Sequence, residues 1–159
     1  MRPAAPELRL SDQAGDRLRA AARASRNREQ GGILVGYRTM AGLVVEDALT
    51  VADEWASHGR YVRRSRKGQE VLAAYLQHQV DPMIGYVGEW HTHPLPFPPS
   101  TTDHASMAMM AIRNTECIAL LVAALQRDLK SVSFYALATK PSHQARRCLG
   151  VYRKAWVVL

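Results

Sequence analysis

GEWHTHPLPFPPSTTD, residues 88–103, is the most informative stretch of this sequence. Side chains two residues apart on a strand point to the same face of a sheet, so a strand that ends here places His91 and His93 side by side. Two imidazoles on one face can bind a single metal ion. The prolines that follow keep the connection stiff and extended, which lowers the entropy lost when Asp103 returns to the histidines.

This pattern predicts a metal site with three protein ligands. Two histidines and one carboxylate leave the fourth position of a catalytic zinc ion open to water. We therefore expect His91, His93 and Asp103 to bind Zn²⁺, although iron, nickel and manganese accept similar ligands. Water on such an ion becomes acidic enough to supply hydroxide near neutral pH. His104, the neighbour of Asp103, is an alternative ligand, but we expect its side chain to face outwards.

A hydrolytic metal site also needs a general base and a donor for the developing oxyanion. Glu29, just before a glycine-led strand, and Glu89, on the predicted face of His91, are both candidates for the base. Ser100 can offer its hydroxyl group to an oxyanion. The same hydroxyl can instead cap a helix that begins at residue 101. The residues alone leave both questions open.

The remaining sequence predicts a mixed α/β domain. Apolar periodicity predicts helices over 11–28, 66–79 and 101–113 and strands over 31–38, 43–51, 83–93, 116–125 and 131–138. On the third helix we expect the apolar stripe to face the core, with Ala105, Ala108, Met109 and Ile112 as its members. Residues 143–159 fit either a strand or a helix. The alternation of elements favours a sheet packed against helices.

Length and composition favour one globular domain over residues 1–159. The chain is 47% hydrophobic and 22% charged. The longest apolar run, 117–125, is too short for a spanning helix and no signal peptide is evident, so we expect a cytoplasmic protein without a membrane partner. Cys117 and Cys148 do not make a disulfide scaffold, and Cys117 is predicted to be a buried thiol. The net charge of +7 favours acidic partners.

The motifs resemble those of the JAMM/MPN+ metalloprotease family. There a Glu precedes His-X-His-Pro, a spacer and Ser-X-X-Asp, and the matching residues here are Glu29, His91, His93, Ser100 and Asp103. The stretch EQGGILVG, residues 29–36, is similar to the family's first catalytic strand. The resemblance covers about residues 11–140 and implies a cytidine-deaminase-like domain, a mixed and mostly antiparallel sheet flanked by helices. The spacer after the second histidine is one residue shorter than is usual in the family.

The resemblance also implies a role for each matched residue. His91, His93 and Asp103 would hold zinc and its water, Glu29 would activate that water, and Ser100 would stabilise the oxyanion. Glu89 would then have a supporting or structural role. The implied activity is a zinc-dependent isopeptidase or peptidase that cleaves after the C-terminus of a ubiquitin-like protein or a CBASS nucleotidyltransferase. Similar bacterial proteins belong to antiphage operons with E1-like and E2-like enzymes, and either precursor processing or removal from conjugates fits.

A basic segment, about residues 52–66, corresponds to an insertion through which larger relatives contact their substrate. Its cations include Arg60, Arg63 and Arg64. We hypothesise that this segment and the strand edge beside it bind an extended C-terminal tail by strand addition.

Three other interpretations fit the same motif. A RadC-like, DNA-associated protein also carries the metal motif, and a basic chain suits nucleic acid, although the lead-in residues 88–90 look less like that group. A non-catalytic MPN scaffold is disfavoured because such modules lose ligands that are present here. A JAMM hydrolase that acts on a sulfur-carrier protein is the third.

Overall fold

The structure is a computed structural model that describes residues 5–52, 65–139 and 152–159. Its described elements, in chain order, are β1 (Glu7–Leu10), α1 (Asp12–Ala24), β2 (Gly31–Arg38), β3 (Gly42–Thr50), α2 (Arg66–Leu76), β4 (Gly85–His93), α3 (Thr101–Arg113), β5 (Ala119–Leu125), β6 (Val132–Thr139) and β7 (Tyr152–Val158). None of the described helices is long and apolar enough to cross a membrane.

The strands form one mixed sheet that closes on itself. The order around the barrel is β1-β3-β2-β4-β5-β6-β7, and β1 pairs in parallel with both β3 and β7. The β4–β5 pair is also parallel, whereas the other four pairs are antiparallel. The predicted mixed α/β class is confirmed, but the picture of a simple sheet flanked by helices is wrong. The closure depends on β1, whose pairing partners are distant in sequence.

The two faces of the sheet have separate cores. On the first, α1 packs through Leu18 and Ala22 against a cluster that includes Leu34 and Trp90. On the second, α3 packs through Met107 and Met110 onto a cluster around Ile33, Leu120 and Leu137. Cys117 is buried, as predicted.

The orientation of α3 differs from the prediction. Of the stripe expected to face the core, Met109 is 45% exposed and Ile112 is 70% exposed. The buried residues are Asp103, Met107, Met110 and Ala111, one helical face that begins at the predicted metal ligand. Turning Asp103 towards the sheet therefore turns the other apolar stripe outwards.

A close approach between β2 and β3 makes Gly32 a sensitive position. A Cβ atom there would lie 1.8 Å from the carbonyl oxygen of Leu49, whereas one at Gly85 would meet nothing within 4 Å. We expect Gly32→Ala to destabilise the fold by about 1–3 kcal/mol, because backbone has to shift. Gly85→Ala is the matched control. Thermal unfolding followed by circular dichroism checks this, and equal Tm values for the two variants would contradict it.

Candidate metal centre

The end of β4 and the start of α3 bring the three predicted ligands together. Nε2 of His91 lies 2.9 Å from Oδ1 of Asp103, and Nε2 of His93 lies 3.3 Å from its Oδ2. The two Nε2 atoms are 3.2 Å apart. One ligand atom from each residue thus falls within 4.8 Å of the others, and the part of the chain that the structure describes contains no second such group. Two imidazole nitrogens and one carboxylate are a donor set that suits zinc.

The first turn of α3 holds the Asp103 carboxylate through a capping box. The backbone N–H of Asp103 donates to Oγ of Ser100 over 3.2 Å, and the backbone N–H of Ser100 donates back to Oδ2 of Asp103 over 2.6 Å. The Ser100 hydroxyl also donates to Oδ2, at 2.8 Å. Asp103 therefore has a fixed orientation that leaves Oδ1 facing His91.

The proline-rich loop orients His93. The Phe97 N–H donates to the Leu95 carbonyl over 2.8 Å, which makes a tight turn centred on Pro96. That turn brings the Phe97 carbonyl to 2.9 Å from Nδ1 of His93. A proton on Nδ1 directed at this carbonyl leaves Nε2 as the ligand atom, the usual arrangement around a metal-binding histidine. The sequence predicted an extended connection here, whereas the loop contains this tight turn and orients His93 through it.

Glu29 lies two residues before β2, where the strand register directs it towards His93. In the β2–β4 pair, Gly31 is opposite His91. One residue further, the Thr92 N–H donates to the Gln30 carbonyl over 2.8 Å, so the antiparallel register leads Glu29 towards His93. The negative charge of Glu29 is one of the factors that raise the pKa of His93. Glu29 is half-buried, as befits a group at the rim of a site.

The other candidate residues lie differently. Glu89 is only 4% exposed and accepts a long hydrogen bond of 3.4 Å from the Tyr86 hydroxyl, which encloses it beneath the site. Nδ1 of His104 lies 3.1 Å from the hydroxyl oxygen of Tyr152 on β7, and His104 is not in the ligand group. Ser100 is the helix cap that its sequence position allowed. Arg60, Arg63 and Arg64 lie outside the described residues.

Asp103 and the two histidines shift the pKa values of this site. Burial alone raises the pKa of Asp103, but hydrogen bonds with His91 and His93, the charge of His91 and the Ser100 N–H outweigh it and hold that pKa far below the usual range. Burial alone lowers the pKa of His93, but the hydrogen bond with Asp103, the Phe97 carbonyl and the charges of Asp103 and Glu29 outweigh it and raise the pKa. Without metal, a proton therefore stabilises the cluster.

These shifts predict opposite pH dependences for folding and for metal binding. The raised pKa of His93 stabilises the metal-free fold below about pH 6.5, and this contribution is lost as the pH rises through the higher folded value. Asp103 stays ionised throughout, since its pKa is lowered. We expect the Tm difference between wild type and His93→Gln, without metal, to be larger at about pH 5.5 than at about pH 8.5.

Zinc affinity should move the other way, because zinc displaces the proton from His93. Competition with a chromophoric chelator measures it at the same two pH values. A Tm difference that grows with pH, or a zinc affinity that does not rise with pH, would contradict this assignment.

Comparison with protein families identifies the family of this chain. The model for prokaryotic homologs of the JAB domain matches residues 11–148. The chain belongs to this family. The match covers most of the chain and includes all five residues on which the JAMM/MPN+ resemblance rests, and that resemblance is confirmed.

Individual relatives agree with this assignment. A protein of Escherichia coli (strain TW11681) named CD-NTase/cGAS isopeptidase is 33% identical over 102 residues, which are 59% of this chain and 61% of that protein. The match therefore spans about three fifths of the relative's length. The solution structure of a Desulfitobacterium hafniense protein matches with a TM-score of 0.63, 19% identity and coverage of 96% of this chain and 92% of that one. A Salinibacter ruber protein matches with a TM-score of 0.55, 19% identity and coverage of 94% and 90%. At these identities the two structures bear on the fold alone.

Proposed function

We propose that this JAB-family protein is a zinc-dependent isopeptidase or peptidase that cleaves after the C-terminus of a ubiquitin-like or CD-NTase protein. The observation that carries the proposal is the convergence of His91, His93 and Asp103, with Glu29 close enough for its charge to raise the pKa of His93. The name of the E. coli relative supports the isopeptidase class and a CD-NTase substrate. Family membership supports the use of a metal.

Each residue has a defined task in this proposal. His91, His93 and Asp103 would hold the ion, which when bound supplies a water acidic enough to act at neutral pH. Glu29 accepts a proton from the attacking water and delivers it to the leaving amine. The Ser100 hydroxyl, which needs only to rotate away from Oδ2 of Asp103, donates to the oxyanion that develops on the scissile carbonyl. The same steps serve a linear peptide bond and an isopeptide bond, because water attacks the same carbonyl in both.

An edge of β3 supports the binding of an extended tail. Pairing of β3 with β1 is limited to Gly42–Val45, so in the described residues the second half of β3 has a strand partner on one side only. A shallow depression lies between α1 and this part of β3, lined by Arg17, Ala20, Ala21, Ala24, Gln30, Ala48 and Thr50. The basic segment with Arg60, Arg63 and Arg64 follows β3 directly in sequence.

The cellular role that we propose is deconjugation in bacterial antiphage defence. The protein would act in the cytoplasm on precursors or conjugates made by E1-like and E2-like enzymes of the same operon. The RadC-like and sulfur-carrier interpretations remain predictions from the sequence. A salt-dependent shift of DNA in a binding assay would favour the first, and release of a sulfur-carrier tail would favour the second.

Replacing Glu29 should abolish cleavage without loss of metal. We expect Glu29→Gln to lower kcat by about 10²–10⁴-fold, because it removes the base but leaves all three ligands. The substrates are a ubiquitin-like protein and a CD-NTase protein, each fused at its C-terminus to a reporter, and bound zinc is quantified in parallel. Glu70→Gln, at an exposed carboxylate on α2, is the matched control. Wild-type rates for Glu29→Gln would exclude it as the base. A zinc-loaded wild type that cuts neither fusion would exclude this substrate class.

Charge reversal in the basic segment should weaken substrate binding. We expect Arg63→Glu combined with Arg64→Glu to lower kcat/KM about tenfold or more, mainly through KM, since the segment would contact the tail and not the reacting bond. Arg153→Glu combined with Lys154→Glu, on exposed positions of β7, controls for net charge. Unchanged cleavage by the first pair, or equal losses in both pairs, would contradict a specific role for the segment.

A further inference from the structure

Thr92 is a completely buried polar residue between the two histidines of β4. Its exposure is 0%, and alternation along the strand directs its side chain to the face opposite His91 and His93. That face carries the first apolar core, to which Trp90 belongs. A hydroxyl buried beside apolar side chains is unfavourable unless it has a hydrogen-bond partner. Its partner therefore indicates what the residue does.

The partner of Thr92 is the backbone of Gln30. The Gln30 N–H donates to Oγ1 of Thr92 over 2.9 Å, and the Thr92 N–H donates to the Gln30 carbonyl over 2.8 Å. The hydroxyl also approaches that carbonyl, at 3.5 Å. Thr92 thus bonds both backbone polar groups of Gln30, the N–H through its hydroxyl and the carbonyl through its own N–H.

These contacts lie immediately before the first residue of β2. The paired register of β2 and β4 ends at Gly31 opposite His91, so Gln30 is the first residue beyond the ladder and Glu29 is the second. The backbone of β4 bonds only the carbonyl of Gln30, through the Thr92 N–H, whereas the Gln30 N–H is bonded by the Thr92 hydroxyl. The hydroxyl of Thr92 therefore holds the backbone of Gln30, one residue before β2. Glu29 is the next residue towards the N-terminus.

We propose that Thr92 is a positioning residue that holds Glu29 against the metal site through the backbone of Gln30. The inference rests on the proposed function, in which Glu29 is the general base. It concerns the side of β4 that faces away from the reaction. A base displaced by about 1 Å can cost on the order of 10²-fold in rate, so a hydroxyl that never touches substrate can affect kcat.

A pair of nearly isosteric substitutions tests this. Thr92→Val keeps the shape and removes the hydroxyl, whereas Thr92→Ser keeps the hydroxyl and removes a methyl group. We expect Thr92→Val to lower kcat about tenfold or more with KM and zinc affinity close to wild type, and Thr92→Ser to retain most of kcat. If Thr92→Val does not fold, Thr92→Cys replaces it, because a thiol is a weak acceptor of similar size.

A second measurement does not depend on activity. Hydrogen exchange of the Gln30 backbone amide, followed by NMR on metal-free protein, should be faster in Thr92→Val than in Thr92→Ser or wild type. Equal exchange rates, or an unchanged kcat in Thr92→Val, would overturn the inference. An equal loss of zinc affinity and kcat would also overturn it, since Thr92 would then act on the histidines. A wild type that binds zinc but cleaves neither fusion defeats the proposed function alone, and the exchange rates still decide whether the hydroxyl holds Gln30.

Discussion

The negative charge of one buried carboxylate, that of Asp103, has to be balanced by its neighbours, and the rest of the site depends on this constraint. Asp103 is 1% exposed, and an isolated charge in such a place would be very costly. Its two oxygens face His91 and His93, and the Ser100 backbone N–H donates to one of them. These contacts form only when α3 begins close to the end of β4, which in turn requires the proline-rich loop to follow its observed path. A metal ion in the same place would supply the compensating charge in place of the proton on His93.

The strand order explains why the site lies where it does. Because β4 and β5 are parallel, the chain between them has to return across the sheet, and α3 is the helix that does so. The end of one strand and the first turn of its crossover helix thus lie together, which joins the histidines to Asp103. On the other side of β4, the antiparallel partner β2 begins at the same level and brings Glu29 there. A central strand with one parallel and one antiparallel neighbour therefore gathers the ligands and the predicted base from three parts of the chain.

Local sequence patterns predicted much of this arrangement. The strand over 31–38 and the helix over 101–113 are confirmed at both ends, and His91, His93 and Asp103 form one group as expected. Strand alternation and a helix start are local properties, and so they are visible in the residues themselves. The roles of Glu29 and Ser100 remain predictions that the site geometry supports.

What could not be predicted depends on distant partners. Strand β1 has four residues and is defined by pairing with β3 and β7, so no local pattern marks it or the closure of the barrel. The orientation of α3 was predicted wrongly because periodicity weighs apolar residues, whereas here a polar ligand faces inwards. The Phe97 carbonyl and the Gln30 backbone are also invisible to side-chain patterns, although a threonine between two histidines could have suggested that its side chain has a task of its own.

We expect His91, His93 and Asp103 to bind one zinc ion and to leave a position for water. A crystal structure of the zinc-loaded protein, with anomalous scattering recorded at the zinc edge, tests it most directly. The expected density is one ion with Nε2 of both histidines and an Asp103 oxygen at about 2.0–2.2 Å, and a single water that completes a tetrahedron. A fourth protein ligand in place of the water, with His104 the nearest candidate, would contradict a catalytic centre. Zinc bound elsewhere in the chain would contradict the site itself.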